Sequence, residues 1–141
     1  MEDVKALAVD VYNVKPLPMG GYQSRMILDH VITGRDNVIQ INHGVLAAGE
    51  ALPGGVHEED EIYYILSGTG KLRLGGETVD IHPDQVVFIP AGCFHALDNT
   101  ASDEELKILT LWRDYRFNEA YAERMRQWGR SFVTEDGDGQ I

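Results

Sequence analysis

The sequence predicts a small all-β protein with one helix at its C-terminal end, and three observations carry that prediction. Fifteen glycines punctuate short apolar runs, the pattern of many turns between short strands. Residues 71–74 and 78–81 flank Gly75-Gly76, a hairpin whose two glycines suit a type I′ turn, where both central residues need positive φ. Beyond residue 112 the period changes: Phe117, Tyr121, Met125 and Trp128 recur at spacings of four, four and three, which puts them on one face of a helix.

Size and charge bound the answer further. A chain of 141 residues is most economically one domain, able to bury about two-thirds of its unfolded surface. Twelve basic residues stand against twenty-three acidic ones, a net charge of −11. Such a field repels nucleic acid and anionic membranes. No run approaches the roughly 18 apolar residues of a membrane span. The N-terminus lacks the basic and apolar regions of a signal peptide, so a cytoplasmic location is expected. Cys93 is the single cysteine, which excludes an internal disulfide and any thiolate cluster.

In chain order, residues 4–15 alternate imperfectly and predict a strand or an arm, which Pro16, Pro18, Gly20 and Gly21 end. Residues 24–28 and 38–46 predict strands around a turn at 34–37, and residues 49–55 predict a break. Residues 61–66 predict a strand that is apolar on both faces. Residues 85–89 form a nearly continuous apolar run, a buried strand that Pro90 and Gly92 end before residues 94–97. After a polar loop at 98–105 comes a last strand at 106–112. The helix follows at about 115–129, with Gly129 as its stop and its apolar stripe packed on the sheet or on a second subunit. Residues 134–141 predict a solvated tail.

The chemistry concentrates in residues 49–68. His57 precedes four acids, Glu58, Glu59, Asp60 and Glu61, and the strand that follows holds Glu61 on a stiff element. An imidazole and a carboxylate four positions apart can close on one divalent cation, since each aims a lone pair at a common point. His95 enters a later strand and offers a third donor. Glu59 is a weaker substitute for Glu61, and an all-oxygen Ca²⁺ or Mg²⁺ site is disfavoured by the flanking histidines.

These residues resemble the two sequence motifs of the cupin superfamily. The first appears as Gly49, His57, Glu61 and Gly68, and the second as Asp84, Pro90-Ala91-Gly92, His95 and Asn99. Gly55 stands where the family places its first histidine, and Asp84 stands where the family has glycine. The resemblance covers about residues 38–112. It implies a small antiparallel jelly-roll β-barrel, with a core at about 24–112, and a homodimer. It also implies one divalent transition metal held by His57, Glu61 and His95.

Two histidines and one carboxylate form the facial set of non-haem Fe(II) oxygenases, with open positions for substrate or O₂. Fe²⁺ is therefore the favoured ion, with Zn²⁺, Mn²⁺ and Ni²⁺ as alternatives, and an oxygenase acting on a small organic molecule is the expected function. The rivals are a redox-neutral isomerase or lyase and a non-catalytic binding barrel without metal. Tyr63 lies two residues after Glu61 and so shares its face; it is the candidate general acid or substrate donor, against a purely structural role. Gln40 and Asn42 share a face of an earlier strand and, with Trp112, are the candidate substrate contacts.

Overall fold

The computed structural model describes residues 6–36, 38–137 and 139. Ten strands form two antiparallel sheets. The larger has the order β1 (Leu17–Met19), β2 (Tyr22–Leu28), β3 (Gln40–Leu46), β10 (Leu106–Trp112), β5 (Glu61–Ser67) and β8 (Val86–Ile89). The smaller runs β4 (Ala51–Gly55), β9 (His95–Asp98), β6 (Gly70–Leu74) and β7 (Glu77–Ile81). The sheets pack face to face as a jelly roll, and the expected all-β class is observed.

One end of the sandwich is dry. Ile65, Leu72, Ile81, Ile89, Leu97, Leu106 and Ile108 are all buried in one cluster contributed by both sheets. Each such side chain contributes about 1.5–3 kcal/mol on burial, so this end is the rigid base of the fold. Strand alternation then decides what the other end holds. On β5 the inward positions are Glu61, Tyr63 and Ile65, with Ile62 and Leu66 exposed. The same face that builds the core therefore delivers a carboxylate and a phenol at its open end.

A second cluster of Leu17, Met26, Trp112, Tyr115 and Ala120 closes the side of the sandwich beneath α2 (Glu119–Trp128). Asn118 caps that helix through its side chain, and Gly129 ends it at φ 71°. Phe117 thus lies outside the helix. The buried face of α2 is Ala120 and Arg124, with Tyr121 and Trp128 partly covered and Met125 exposed. The predicted stripe is therefore corrected: the face that docks is rotated toward a small residue and an arginine.

Several other local expectations also change. The hairpin between β6 and β7 pairs Leu74 with Glu77, but only Gly75 has positive φ (58°), the type II′ pattern rather than type I′. Residues 11–13 form a 3₁₀ turn rather than a strand, and α1 (His30–Thr33) occupies the approach to the predicted turn; Val4, Lys5 and Asn37 lie outside the described residues. The break expected at 49–55 holds β4. The predicted tail at 134–141 is partly packed: Thr134 is buried and Glu135 N–H donates to the Asn13 carbonyl at 2.7 Å, while Asp138, Gln140 and Ile141 lie outside the described residues.

Candidate metal centre and cavity

Glu61 opens β5 and His95 opens β9, while His57 sits in the loop between β4 and β5. Two hydrogen bonds tie the loops together: Gly92 N–H donates to the His57 carbonyl at 2.8 Å, and Ala91 N–H donates to Asp60 Oδ1 at 2.9 Å. The two distant stretches are thereby stitched into one corner. His57, Glu61 and His95 each bring a ligand atom within 4.8 Å of the others. The separations His95 Nε2–Glu61 Oε1 and His57 Nε2–Glu61 Oε2 are 3.2 and 3.9 Å. Two atoms bonded at about 2.1 Å to one ion stand about 3–4 Å apart.

The backbone orients both rings. His57 Nδ1 lies 2.8 Å from the Glu59 carbonyl and His95 Nδ1 lies 3.0 Å from the Cys93 carbonyl. A carbonyl only accepts, so each Nδ1 carries the proton and each Nε2 turns a lone pair inward. Two imidazole lone pairs and a carboxylate then face one another, an arrangement of acceptors that calls for a cation. Glu61 is 3% exposed, and among the described residues no lysine or arginine lies within 4.0 Å of it. An unpaired carboxylate so placed costs several kcal/mol. Without an ion, a proton does part of the work. Burial lowers the His95 pKa, but Glu61 and the Cys93 carbonyl together outweigh it and leave it raised above 6.5. The donor set fits a divalent cation of the Fe, Mn, Ni or Zn type.

Glu59 contributes its carbonyl to His57 and stands outside this cluster. Gly55 pairs with His95 across β4 and β9, and a Cβ there would meet nothing within 4 Å. The place of the family's first histidine is open space. Asp84 takes φ 63°, so it supplies the glycine-like turn expected of it.

The cluster lines a cavity of about 390 Å³ between the sheets and the start of α2. Tyr63, Asn42 and Trp112 also line it. Gln40 does not: its side chain accepts the Tyr115 backbone N–H and so anchors the segment leading to α2. Burial and the adjacent Glu61 carboxylate hold the Tyr63 phenol well above its ordinary pKa, so it stays a neutral donor.

The sequence reading missed Tyr22, Ser24, Thr110 and Phe117, which also line the cavity. Tyr22, Ser24 and Met26 alternate inward on β2, a period-two signal in the sequence. Gly44 faces the Tyr22 ring, and a Cβ there would collide with the hydroxyl. Phe117 lies against His57 with ring centroids 5.0 Å apart.

Residues 42–112 match the family profile of the cupin domain, half of the chain. The chain is a cupin. A curated but uncharacterised Streptomyces coelicolor protein is 32% identical over 56 residues, which cover 40% of this cupin and 51% of that protein. The chain thus spans about half the length of that relative. Among solved structures, a predicted oxalate decarboxylase from Thermotoga maritima superposes with a TM-score of 0.67 at 23% identity, covering 76% of this chain and 98% of the other. The manganese-containing Bacillus subtilis oxalate decarboxylase superposes at 0.64 with 19% identity, covering 71% and 28%. At these identities the likeness concerns the fold.

Proposed function

We propose that this cupin is a mononuclear metal-dependent enzyme acting on a small organic molecule, with His57, Glu61 and His95 as its metal ligands. The carrying observation is the set of inward acceptor atoms around Glu61, with no lysine or arginine of the described residues within 4.0 Å and both imidazoles turned by backbone carbonyls. A bound divalent ion would supply Lewis acidity and open positions for substrate or O₂. The protein's own groups do the rest. Tyr63 holds a proton beside Glu61, ready for donation to a developing oxyanion. Phe117 covers His57 and limits water, and Asn42 and Trp112 orient the substrate.

Fe(II)-dependent oxygenation is the first reading, because two histidines and one carboxylate leave positions free and Gly55 leaves open space opposite His95. A redox-neutral lyase-type reaction is the second reading, favoured by the neutral Tyr63 phenol and by the decarboxylase names of the two structural neighbours. Oxygen uptake that depends on added Fe(II) distinguishes them. Elemental analysis of protein purified without chelator tests both: about one transition-metal ion per chain supports the proposal, and its absence removes it.

A homodimer is proposed on the outer face of β8, an edge strand where Val86 and Phe88 are exposed beside Ile62 of β5. Light scattering should give twice the 15.7 kDa chain mass, and a single-chain mass would refute the dimer.

A further inference from the structure

Arg124 is 0% exposed on the inner face of α2. Among the described residues no carboxylate lies within 4.0 Å of it. Its Nη2 donates to the Ser24 hydroxyl at 2.7 Å and to the Ser24 carbonyl at 3.0 Å, while Nε and Nη1 have no hydrogen-bond partner among the described residues. Burial lowers its pKa to about 10, which leaves it cationic at neutral pH. The buried Asp29 carboxylate favours that charge from beyond 4.0 Å, and the guanidinium lies 5.3 Å from the Tyr115 ring centroid. Among the described residues no contact ion pair neutralises it, and a buried charge left without one is costly unless its field is used.

Ser24 carries that field to the cavity. Its Oγ also accepts from Asn42 Nδ2 at 2.8 Å. A hydroxyl oxygen has two lone pairs, and donors occupy both. The remaining hydroxyl proton therefore has to point elsewhere, and Ser24 lines the cavity. Next to Asn42, across the β3–β10 ladder, Thr110 also lines the cavity with a buried Oγ1 that has no hydrogen-bond partner among the described residues. Among the described residues no lysine or arginine lines this cavity, so in a chain of net charge −11 Arg124 is the cation that reaches it, through Ser24.

We infer that Ser24, held in donor polarity by Arg124 and Asn42, is the anchor for a carboxylate on the cavity's ligand, which is therefore a small organic acid. Ser24 touches the ligand; Arg124 and Asn42 position and polarise it. The inference rests on the cavity being the substrate site, as proposed above, but not on which metal is bound.

Matched probes test it: benzoate against benzamide, and isobutyrate against isobutyramide, titrated calorimetrically into the metal-loaded full chain. Each acid should bind about tenfold tighter than its amide. Ser24→Ala should abolish that preference, weakening the acid far more than the amide, with metal content unchanged. The variant keeps the Arg124 bond to the Ser24 carbonyl, so α2 stays docked. Arg124→Met should lose the preference and Arg124→Lys should retain part of it, which a merely structural arginine would not do. The preference should also persist after chelation. No acid binding up to about 10 mM overturns the inference, as does a preference that survives in Ser24→Ala. A preference lost on chelation but kept in Ser24→Ala places the carboxylate on the metal and equally overturns it. The metal content of the parent protein is measured separately, so failure of the metal centre and failure of this corner are distinguishable.

Discussion

The cavity has two polar corners of opposite character. One gathers acceptors: His57, Glu61 and His95, with lone pairs facing inward and no lysine or arginine of the described residues within 4.0 Å of Glu61. The other gathers donors: Ser24, Asn42 and the buried Arg124 behind them, with no carboxylate of the described residues within 4.0 Å of the guanidinium. Each corner is poorly satisfied alone, and each would be completed by something of the opposite charge. The difference teaches that the unsatisfied groups of this fold sort by sign, acceptors suited to a cation at one corner and donors suited to an anion at the other.

The largest expected effect separates the corners outright. His95→Ala should lower metal affinity by at least about 100-fold, as loss of one of three ligands requires, with the acid-over-amide preference intact. Competition with a chromogenic chelator reads the first quantity. Next, Gly44→Ala should destabilise the protein by about 1–3 kcal/mol, because the new methyl collides with Tyr22 in a packed wall. Urea unfolding should show this as a lower midpoint at unchanged slope.

Gly55→His should work in the opposite direction at the acceptor corner. The added side chain has open space opposite His95, so metal affinity should rise by about tenfold while turnover falls as a coordination position is filled. An unchanged affinity would show that this position does not face the ion.

The smallest effect is in pH. His95 has a pKa raised above 6.5 by Glu61 and the Cys93 carbonyl, against the lowering effect of burial. In the metal-free protein its contribution to stability is full below the unfolded value of 6.5 and is lost as pH rises through the folded value. Metal binding has the opposite sign, since the ion must displace that proton, so affinity should weaken steadily on acidification through this range.

The acceptor corner was legible in the sequence because its ligands obey local spacing. His57 and Glu61 are four apart, Glu61 and Tyr63 share a strand face, and the turn residues around Asp84 and Gly92 fix where His95 enters. The donor corner was not legible. Arg124 reaches Ser24 across 100 residues of chain, and an arginine on an amphipathic helix ordinarily reads as a solvated position. Strands β1 and β4 were hidden for a different reason. Both are edge strands interrupted by proline, Pro18 in one and Pro53 in the other. An edge tolerates the missing N–H that would exclude proline from a central strand. Gln40 looked like a cavity residue by alternation alone, but the segment after β10 folds back and takes its side chain.

The most direct test of the central claim is elemental analysis of the protein purified without chelator, alongside Glu61→Ala. About one divalent transition-metal ion per chain is expected in the parent and none in the variant, with both still folded by circular dichroism. A metal content that is the same in the two proteins would contradict it.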